Sequence, residues 1–418
     1  MKPSSSTQRA LLLAALSLPV SLHAQFTVHE WGTFTVLQGS DGQAIHWYQA
    51  AHDQHALPQF VHPDPLMFAG FKATTPLGLA IARMETPVLY FYPKEEVDIS
   101  VTASLTGGRL TEWFPNALHT GMTSSGSRPG SLQWIGHLSP PDSPLAAQIP
   151  HTKDNAGKHY DAARAVPEAW IFRSSLPKPA PRLNPADYKT MLPPVPEVDN
   201  LIFYRGAADL AVPVQVRTGD DRVFSISNVT DQPIAAAFAL QTTAGGISWT
   251  RMDGIQPVQW VEGKPLNVRD FTFPDAKPCA ESIAELRKAV TETLVTEGLT
   301  PAEAAAMVET WQDLWFSEAG TRVLSVLPVE WSDKTVPLAI DPAPSARDRV
   351  YVLRSEILTK AREEGLADLL AGTGDPAADL ARFRALELGR FTHGALPRAQ
   401  QILSVRQASR FQTWLNAK

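Results

Sequence analysis

Short apolar runs separated by turn-forming residues dominate the chain from Phe26 to about Phe273. The runs have strand-like lengths, are alternating or continuously apolar, and are mostly bounded by Pro, Gly, Asn or Asp. Many short strands at close spacing are typical of a β-sandwich. Residues 25–275 are therefore predicted to form a β-rich sandwich body.

The hydrophobic period changes from strand-like to helical after Pro278. Residues 280–298 and 301–318 have the spacing of amphipathic helices and are predicted to form a helical hairpin. Thr300 at the N-cap and Glu303 three residues later match a capping box, in which each side chain accepts a hydrogen bond from the other residue's backbone N–H. The second helix is therefore expected to begin directly after Thr300.

The rest of the chain combines both periods. Residues 321–328 and 349–358 return to strand character and are expected to join the body, whereas residues 359–417 are mostly helical with a break near 372–376. The predicted fold class is mainly β with α: a β-sandwich body, a helical hairpin, two late strands and a helical C-terminal tail. Residues 276–418 would then form a helix-rich part packed on the body.

The N-terminus has the features of an export signal. Lys2 and Arg9 precede the apolar stretch 10–22, and Ala24 supplies a small residue before a cleavage site. Residues 1–24 are therefore predicted to be a signal peptide, and the mature protein is expected in the periplasm or the medium. No later segment is long and apolar enough to span a bilayer, so we expect a soluble mature chain without a transmembrane segment.

Charge and cysteine content narrow the function classes. The formal net charge is −6, which argues against nucleic acid and anionic membrane surfaces as partners. Cys279 is the only cysteine, so no intramolecular disulfide forms and the fold depends on core burial. The sequence contains no Gly-rich phosphate loop, no Gly-x-Ser-x-Gly and no His-Glu-x-x-His, so no cofactor is predicted.

Five motifs are spread over most of the mature chain: HEWGTFT, METPVLYFY, TEWFP, LIFYRG and EAAAMVETWQDLWF. Together they resemble a family of exported bacterial proteins of unknown function. The resemblance implies a location in the bacterial envelope. It implies no particular activity.

Charged residues lie inside several of the apolar runs. Successive side chains of a strand point to opposite faces, so Glu30 shares a face with Val36 while His29 lies on the other face. The same alternation predicts that Arg83 and Glu85 share a strand face with Leu89 and Phe91, and that Glu112 shares one with Leu110 and Phe114. It likewise groups Arg205 with Leu201 and Phe203. Arg354 and Glu356 are predicted on the face of Val350 and Val352. Near the end of the second hairpin helix, Glu318 is expected to contact Arg322.

Charges on apolar faces need partners, because an isolated buried charge is strongly disfavoured. The residues predicted to approach one another in the body are Glu30, Arg83, Glu85, Glu112 and Arg205. Two interpretations stay open at this point. The charges form an internal Arg–Glu network that sets strand register, or they line a polar pocket.

A pocket would offer catalytic candidates in Glu30, Glu85 and Glu112. Glycoside hydrolysis uses two carboxyl groups at a fixed separation, one of which has a raised pKa. Trp31 and Trp113 lie next to two of these glutamates and could stack on sugar rings. A secreted hydrolase of the glycosidase type is therefore one function hypothesis.

A histidine-rich segment offers a metal site as a second hypothesis. His52, His55, His62 and Asp64 have ligand-like side chains at short spacing, and imidazole with carboxylate suits zinc, copper or iron. The spacing matches no known metal signature. A solvated histidine-rich loop is the favoured interpretation, and a divalent metal is the alternative.

The hypothesis that the sequence favours is a non-catalytic envelope protein that binds a polysaccharide or an envelope protein. Arg83, Arg205, Trp31 and Trp113 are the binding candidates. The absence of a recognisable nucleophile or cofactor loop, together with long proline-rich segments suited to binding, supports this hypothesis.

Overall fold

The computed structural model describes residues 24–48, 58, 60–64, 80–120, 131–151, 158–177, 196–219, 223–371 and 375–416. Residues 1–23 of the predicted signal peptide therefore lie outside the described residues. The fold is mainly β with α, as predicted. The described strands are β1 (Ala24–Gln38), β2 (Ala44–Ile45), β3 (His62–Pro63), β4 (Ala82–Pro93), β5 (Val97–Ala103), β6 (Gly108–Phe114), β7 (Leu118–Thr120), β8 (Ser131–Ser139), β9 (Ile171–Pro177), β10 (Pro196–Asp199), β11 (Ile202–Ala208), β12 (Val214–Thr218), β13 (Phe224–Asn228), β14 (Ile234–Thr243), β15 (Gly246–Ile255), β16 (Gln259–Val261), β17 (Lys264–Leu266), β18 (Arg269–Phe271), β19 (Gly320–Leu327), β20 (Leu338–Asp341) and β21 (Pro344–Ile357).

The helices cluster in the second half of the chain. The described α-helices are α1 (Lys158–Ala163), α2 (Cys279–Thr296), α3 (Pro301–Gln312), α4 (Val329–Thr335), α5 (Lys360–Ala371), α6 (Pro376–Ala385) and α7 (Thr392–Asn416). Short 3-10 helices lie at Pro144–Gln148 and Gly389–Phe391, and a π-helical turn lies at Asp313–Ser317. Within the described ranges, no helix is both long and apolar enough to cross a bilayer.

A ten-stranded mixed sheet forms the centre of the molecule, in the order β15-β14-β19-β21-β1-β4-β11-β6-β3 with β2 paired to β1. Strand β1 pairs in parallel with β21 and antiparallel with β4. Its residues 28–38 are buried except for the partly exposed His29, as expected for a strand covered on both faces. The late strands β19 and β21 lie between β14 and β1, so the C-terminal part supplies the middle of the sheet.

A second, six-stranded sheet packs on one face of the large sheet. Its strand order is β10-β9-β8-β5-β20 with β7 paired to β8. Val36 and Met84 of the large sheet share one apolar core with Val101 and Trp134 of the smaller sheet. Two sheets facing each other across a common core make a β-sandwich.

Helices cover the other face of the large sheet. Leu286 of α2 and Met307 of α3 pack against Trp31 and Val350 in a second core. The C-terminal helices pack over the far end of β1, where Leu37 and residues such as Leu366, Phe391 and Ala395 form a third core. The molecule is therefore built of three layers, with the large sheet in the middle.

The two helices of the predicted hairpin are present, but α3 ends at Gln312 and a π-helical turn over Asp313–Ser317 follows it, where the sequence predicts one helix to residue 318. Thr300 Oγ1 accepts a hydrogen bond from the Glu303 backbone N–H at 3.2 Å, and Glu303 Oε2 accepts one from the Thr300 backbone N–H at 2.8 Å. In the C-terminal tail, α5 ends at Ala371 and α6 begins at Pro376 behind the N-cap Asp375. The capping box therefore places the start of α3 as predicted, and the interval between α5 and α6 coincides with the predicted break near 372–376.

Candidate functional site

Strand β1 presents different residues to the two layers that cover it. Val36 belongs to the core between the sheets, and Trp31 belongs to the core beneath the helices. The predicted alternation of β1 is therefore confirmed. Glu30 faces the smaller sheet, whereas His29 faces the helices, where its Nδ1 lies 2.9 Å from Glu303 Oε2.

Glu30 forms an ion pair inside the sandwich. Its Oε2 accepts a hydrogen bond from Arg349 Nε at 2.6 Å, and its Oε1 accepts one from the Tyr204 hydroxyl. Burial and the charge of Glu30 raise the pKa of Tyr204, so the hydroxyl stays a donor. The space beside Gly32 is filled by the Tyr351 ring, which a Cβ there would approach to 2.6 Å. Both Glu30 and Arg349 have no solvent-exposed side-chain surface, so this pair is structural.

A bulge in β4 changes the face on which two predicted site residues lie. The β1–β4 register shifts opposite residues 31–33, and Thr86 has a φ of +47°. A bulge inverts the alternation of the side chains that follow it. Arg83 and Glu85 therefore face the helices, and their predicted grouping with Leu89, which lies in the core between the sheets, is wrong.

A second bulge affects Glu112. The β6–β11 register shifts next to Arg205, so that Leu110 lies in the core between the sheets and Phe114 in the core beneath the helices. Glu112 shares the helix side with Phe114, and its predicted grouping with Leu110 is wrong. The groupings predicted for β11 and β21 are confirmed, since the core beneath the helices contains Leu201, Phe203, Val350 and Val352.

The consequence is a charged band on the helix-facing side of the large sheet. It crosses the six neighbouring strands β19, β21, β1, β4, β11 and β6. Its charged members are Arg322, Glu356, Arg354, Arg83, Glu85, Arg205 and Glu112. A buried Arg–Glu network is therefore present, but Glu30 is not a member of it, because the sheet separates Glu30 from the other predicted members.

Glu85 lies at the centre of this band. Its Oε1 is 3.1 Å from Arg83 Nη1 and 2.6 Å from Arg390 Nη1, and its Oε2 accepts a hydrogen bond from Thr35 Oγ1 at 2.8 Å. Burial alone would raise the pKa of Glu85, but the charges of Arg390 and Arg83 together with the Thr35 hydrogen bond hold it at about 2. Glu85 is therefore a carboxylate throughout the physiological pH range.

The β19–β21 end of the band contains three more ion pairs. Arg322 Nε donates to Glu356 Oε2 at 2.9 Å, and Arg354 Nη2 donates to Glu356 Oε2 at 2.9 Å and to Glu318 Oε2 at 2.6 Å. Glu318 thus contacts Arg354 and not the predicted Arg322, which is engaged by Glu356. Gly320 has a φ of +146° and leaves room for the Glu356 carboxylate, which a Cβ would meet.

We refer to the ion pairs around Glu85 together with those around Glu356 as the arginine cluster. The arginine cluster consists of Arg83, Glu85, Glu318, Arg322, Arg354, Glu356 and Arg390. Arg390 is the member that the sequence did not reveal. It is 305 positions away from Glu85 and belongs to the 3-10 helix Gly389–Phe391, where no strand or helix period marks an inward-facing position.

Glu112 and Arg205 lie next to each other at the opposite end of the band. They are register partners on β6 and β11. Thr111 Oγ1 donates to Glu112, while Arg205 Nε and Nη2 each lie 3.3 Å from Thr86 Oγ1. Burial, offset in part by Arg205, raises the pKa of the neighbouring Tyr160 to about 12. This end of the band therefore holds uncharged hydroxyls beside one carboxylate and one guanidinium.

The two candidate tryptophans lie inside the cores. Trp31 is buried beneath the helices, and Trp113 is buried between the sheets. Neither indole ring is accessible for stacking on a sugar. The predicted role of these tryptophans as a binding surface therefore has no support in their positions.

The candidate metal ligands are only partly described. His52 and His55 lie outside the described residues, whereas His62 and Asp64 lie within them. His62 Nε2 is 2.8 Å from Glu197 Oε2. The Asp64 carboxylate forms a separate ion pair with Arg109 of β6. Among the residues that the structure describes, no group of three or more His, Cys, Asp or Glu side chains is arranged to hold a metal ion.

His29 forms a polar contact that the sequence did not predict. Its Nε2 lies 3.3 Å from Asp348 Oδ2, on the side of the ring opposite Glu303. Glu303 also accepts a hydrogen bond from the Tyr92 hydroxyl at 2.5 Å. Burial lowers the pKa of His29, but the hydrogen bond and charge of Glu303 and the charge of Asp348 outweigh burial and raise it. His29 thus joins β1 to the start of α3.

The chain matches no protein-family model and no curated protein. Among solved structures it is similar to the Fcho1 Mu homology domain of Danio rerio with bound Eps15 peptide, with 8% identity, 80% of this chain and 97% of that chain covered, and a TM-score of 0.24. It is also similar to the yeast delta-COP-I mu-homology domain complexed with Dsl1 WxWxV peptide, with 6% identity, coverages of 80% and 98%, and a TM-score of 0.26. Similarity at this level does not define a function, so function is argued from the site.

Proposed function

We propose that the protein is an exported, non-catalytic binding protein of the bacterial envelope, and that its ligand site is the part of the arginine cluster around Arg83, Glu85 and Arg390. The observation that carries this proposal is a buried, ionised Glu85 paired with the two partly exposed guanidiniums of Arg83 and Arg390. With a pKa of about 2, Glu85 has no proton to donate near neutral pH. A glycosidase needs a carboxylic acid with a raised pKa as its proton donor, and Glu85 does not meet that requirement. Burial would raise the pKa of Glu356, but Arg322 and Arg354 lower it.

The exposure of the side chains supports a binding role for this part of the cluster. Glu85 is only 2% exposed, whereas the side chains of Arg83 and Arg390 are 12% and 23% exposed. The Arg83 guanidinium lies 4.9 Å from the centre of the Tyr48 ring, and the Arg390 guanidinium lies 5.4 Å from the centre of the Trp47 ring. A ligand can contact cations held by aromatic rings while the carboxylate beneath stays covered.

The proposed location rests on the sequence. The charged and apolar pattern of residues 1–24 is that of a signal peptide, and the five motifs resemble an exported bacterial family. We therefore place the mature protein in the periplasm or the medium. Its proposed partner is a polysaccharide or an envelope protein, contacted by Arg83 and Arg390 and not by the buried tryptophans.

The proposal is tested by measuring turnover and binding separately on the purified mature protein. Release of reducing ends from a panel of envelope polysaccharides reports turnover, and calorimetry with the same panel reports binding. We expect binding without turnover, and we expect Arg83→Gln to weaken that binding. Arg398→Gln should leave the binding unchanged, because Arg398 lies outside the cluster and pairs with Asp41 and Glu363. Turnover that disappears in Glu85→Gln or Glu112→Gln would replace this proposal with a glycosidase.

Elemental analysis of the same preparation tests the metal hypothesis. Stoichiometric zinc, copper or iron that is lost on substitution of His52, His55 and His62 would favour a metal enzyme. We expect no stoichiometric metal, because His62 and Asp64 have separate protein partners.

A further inference from the structure

We propose that Arg390 and Arg354 form a binding site for an oxyanion, such as a carboxylate, sulfate or phosphate group. The inference rests on the proposed function, because it names the chemical class of ligand that binds at Arg390 and extends the proposed site to Arg354. Its basis is the set of N–H donors that the two guanidiniums leave unused within a largely buried site.

Arg390 provides a complete donor edge. Its Nη1 donates to Glu85 Oε1 at 2.6 Å. Its Nε and Nη2 are buried, and among the described residues neither has a hydrogen-bond partner. These two atoms carry the parallel N–H groups that bind both oxygens of a carboxylate or phosphate. The ring of Phe391, 5.2 Å from the guanidinium, and that of Trp47 help to hold the edge in place.

Arg354 on β21 provides further donors. Its side chain has no exposed surface, and its Nη2 is shared by Glu318 and Glu356. Nε and Nη1 of Arg354 lack a hydrogen-bond partner within the part of the chain that the structure describes. Buried donors on a charged group are strongly destabilising when they stay unpaired, so several such donors in one cluster point to a ligand.

A buried hydroxyl lies on the same face of the sheet. Thr33 is the register partner of Glu85, and its Oγ1 is buried with no partner among the described residues. A hydroxyl can donate to an oxyanion as well as accept from a guanidinium. Thr33 therefore adds a neutral donor between the strands that carry Glu85 and Arg354.

The charge of the cluster favours an anionic ligand. Its described side chains comprise four guanidiniums and three carboxylates. Burial lowers the pKa of Arg390, and although Glu85 opposes this effect, Arg354 and Arg83 add to it. Cations thus repel one another at Arg390, and an anion bound there would relieve the repulsion.

Among the arginines of the cluster, Arg390 has the most exposed side chain. Glu318 and Arg390 are partly exposed, whereas Glu85, Arg354 and Glu356 are buried. An oxyanion coming from solvent would therefore meet Arg390 before it meets the buried Arg354. This arrangement suits an anionic group at the end of a larger ligand or a free small anion.

The test is a titration of the purified mature protein with sodium acetate, sulfate and phosphate at constant ionic strength, with chloride as the reference salt. Because the anion binds the folded state, we expect a saturable rise in the melting temperature with at least one oxyanion. Arg390→Gln should weaken this binding about 10–100-fold, the amount associated with losing a charge-assisted hydrogen-bonded pair.

Arg398→Gln is the matched control. Arg398 is 22% exposed, close to the 23% of Arg390, but its Nε and Nη2 are engaged by Glu363 and Asp41 at 2.9 and 2.7 Å. Its substitution should leave the oxyanion affinity unchanged. Arg390→Lys serves if Arg390→Gln does not fold, since it keeps the charge but loses the planar edge and should also weaken binding.

Three outcomes overturn the inference: oxyanions that act no differently from chloride, an equal response of the wild type and the Arg390 variants, or an equal loss in Arg398→Gln. The proposed function is judged by other data. Polymer binding without turnover, in a protein that binds no oxyanion, would refute this inference and leave the proposed function standing. Oxyanion binding in a protein that turns over a substrate would do the reverse.

Discussion

Replacing Glu85 with glutamine tests how the charged band stabilises the fold. The substitution keeps the shape of the side chain and removes the charge that faces Arg83 and Arg390 at 3.1 and 2.6 Å. Two guanidiniums would then face a neutral amide in a buried site. Removing one member of a buried ion pair costs about 3–5 kcal/mol, because the remaining charge is left uncompensated.

The pKa of Glu85 leads to a similar free-energy cost for removing its charge. The difference between its ordinary value of 4.5 and about 2, at about 1.36 kcal/mol for each pKa unit, corresponds to about 3 kcal/mol. A lowered pKa means that the folded state favours the carboxylate. The contribution to stability is therefore fully present above pH 4.5 and is lost as the pH falls towards 2.

Urea unfolding followed by tryptophan fluorescence measures this effect. At pH 7 we expect Glu85→Gln to lower the free energy of unfolding by about 3 kcal/mol, and between pH 4.5 and pH 2 the wild type and the variant should converge. Glu309→Gln is the control, since Glu309 forms an exposed pair with Arg287 that is worth about 0–1 kcal/mol. A difference at pH 7 no larger than that of the control, or one that is unchanged at pH 2, would refute the reasoning.

Three further outcomes are expected. The pKa of His29 is raised, so the contribution of protonated His29 to the stability of the fold is present below pH 6.5 and lost at higher pH. The difference in the free energy of unfolding between wild type and His29→Gln in urea should therefore be larger at pH 5.5 than at pH 8.5, and equal differences would contradict the contact with Glu303. Trp31→Ala should destabilise the protein by about 3–5 kcal/mol. Trp260 is 66% exposed, so Trp260→Ala should change stability by less than about 0.5 kcal/mol, and calorimetry compares the two variants. Thr300→Ala removes the cap of α3 and should cost about 1 kcal/mol in the same assay, and a neutral result would argue against the capping box.

Several features of the fold follow from local sequence patterns. The capping box at Thr300 and Glu303 depends on groups three residues apart, so the residues themselves place the start of α3. Alternation likewise predicts the faces of β1, β11 and β21, because these stretches keep a period of two where the site residues lie. The change to a helical period after Pro278 similarly marks the beginning of the helical hairpin.

The bulges in β4 and β6 had weaker signals. Pro87 follows Thr86 inside a central strand, and proline within a sheet is found at edges or bulges. That signal predicts an irregularity but not its consequence. The face on which Glu85 lies depends on how many residues β4 places opposite β1, and this number is a property of the strand pair.

Local sequence patterns were therefore enough to predict the strand-rich and helical regions of the chain, the starts of the hairpin helices and the faces of the regular strands, because those depend on neighbours within a few residues. Which charges form pairs depends instead on contacts between distant parts of the chain. Arg349 lies 319 positions from Glu30, and Arg390 lies 305 positions from Glu85. These pairs form because β21 returns to lie beside β1 and because the C-terminal helices pack over the end of that strand. These long-range contacts depend on the burial of whole strand and helix faces across the molecule. No local hydrophobic period in the sequence indicates them.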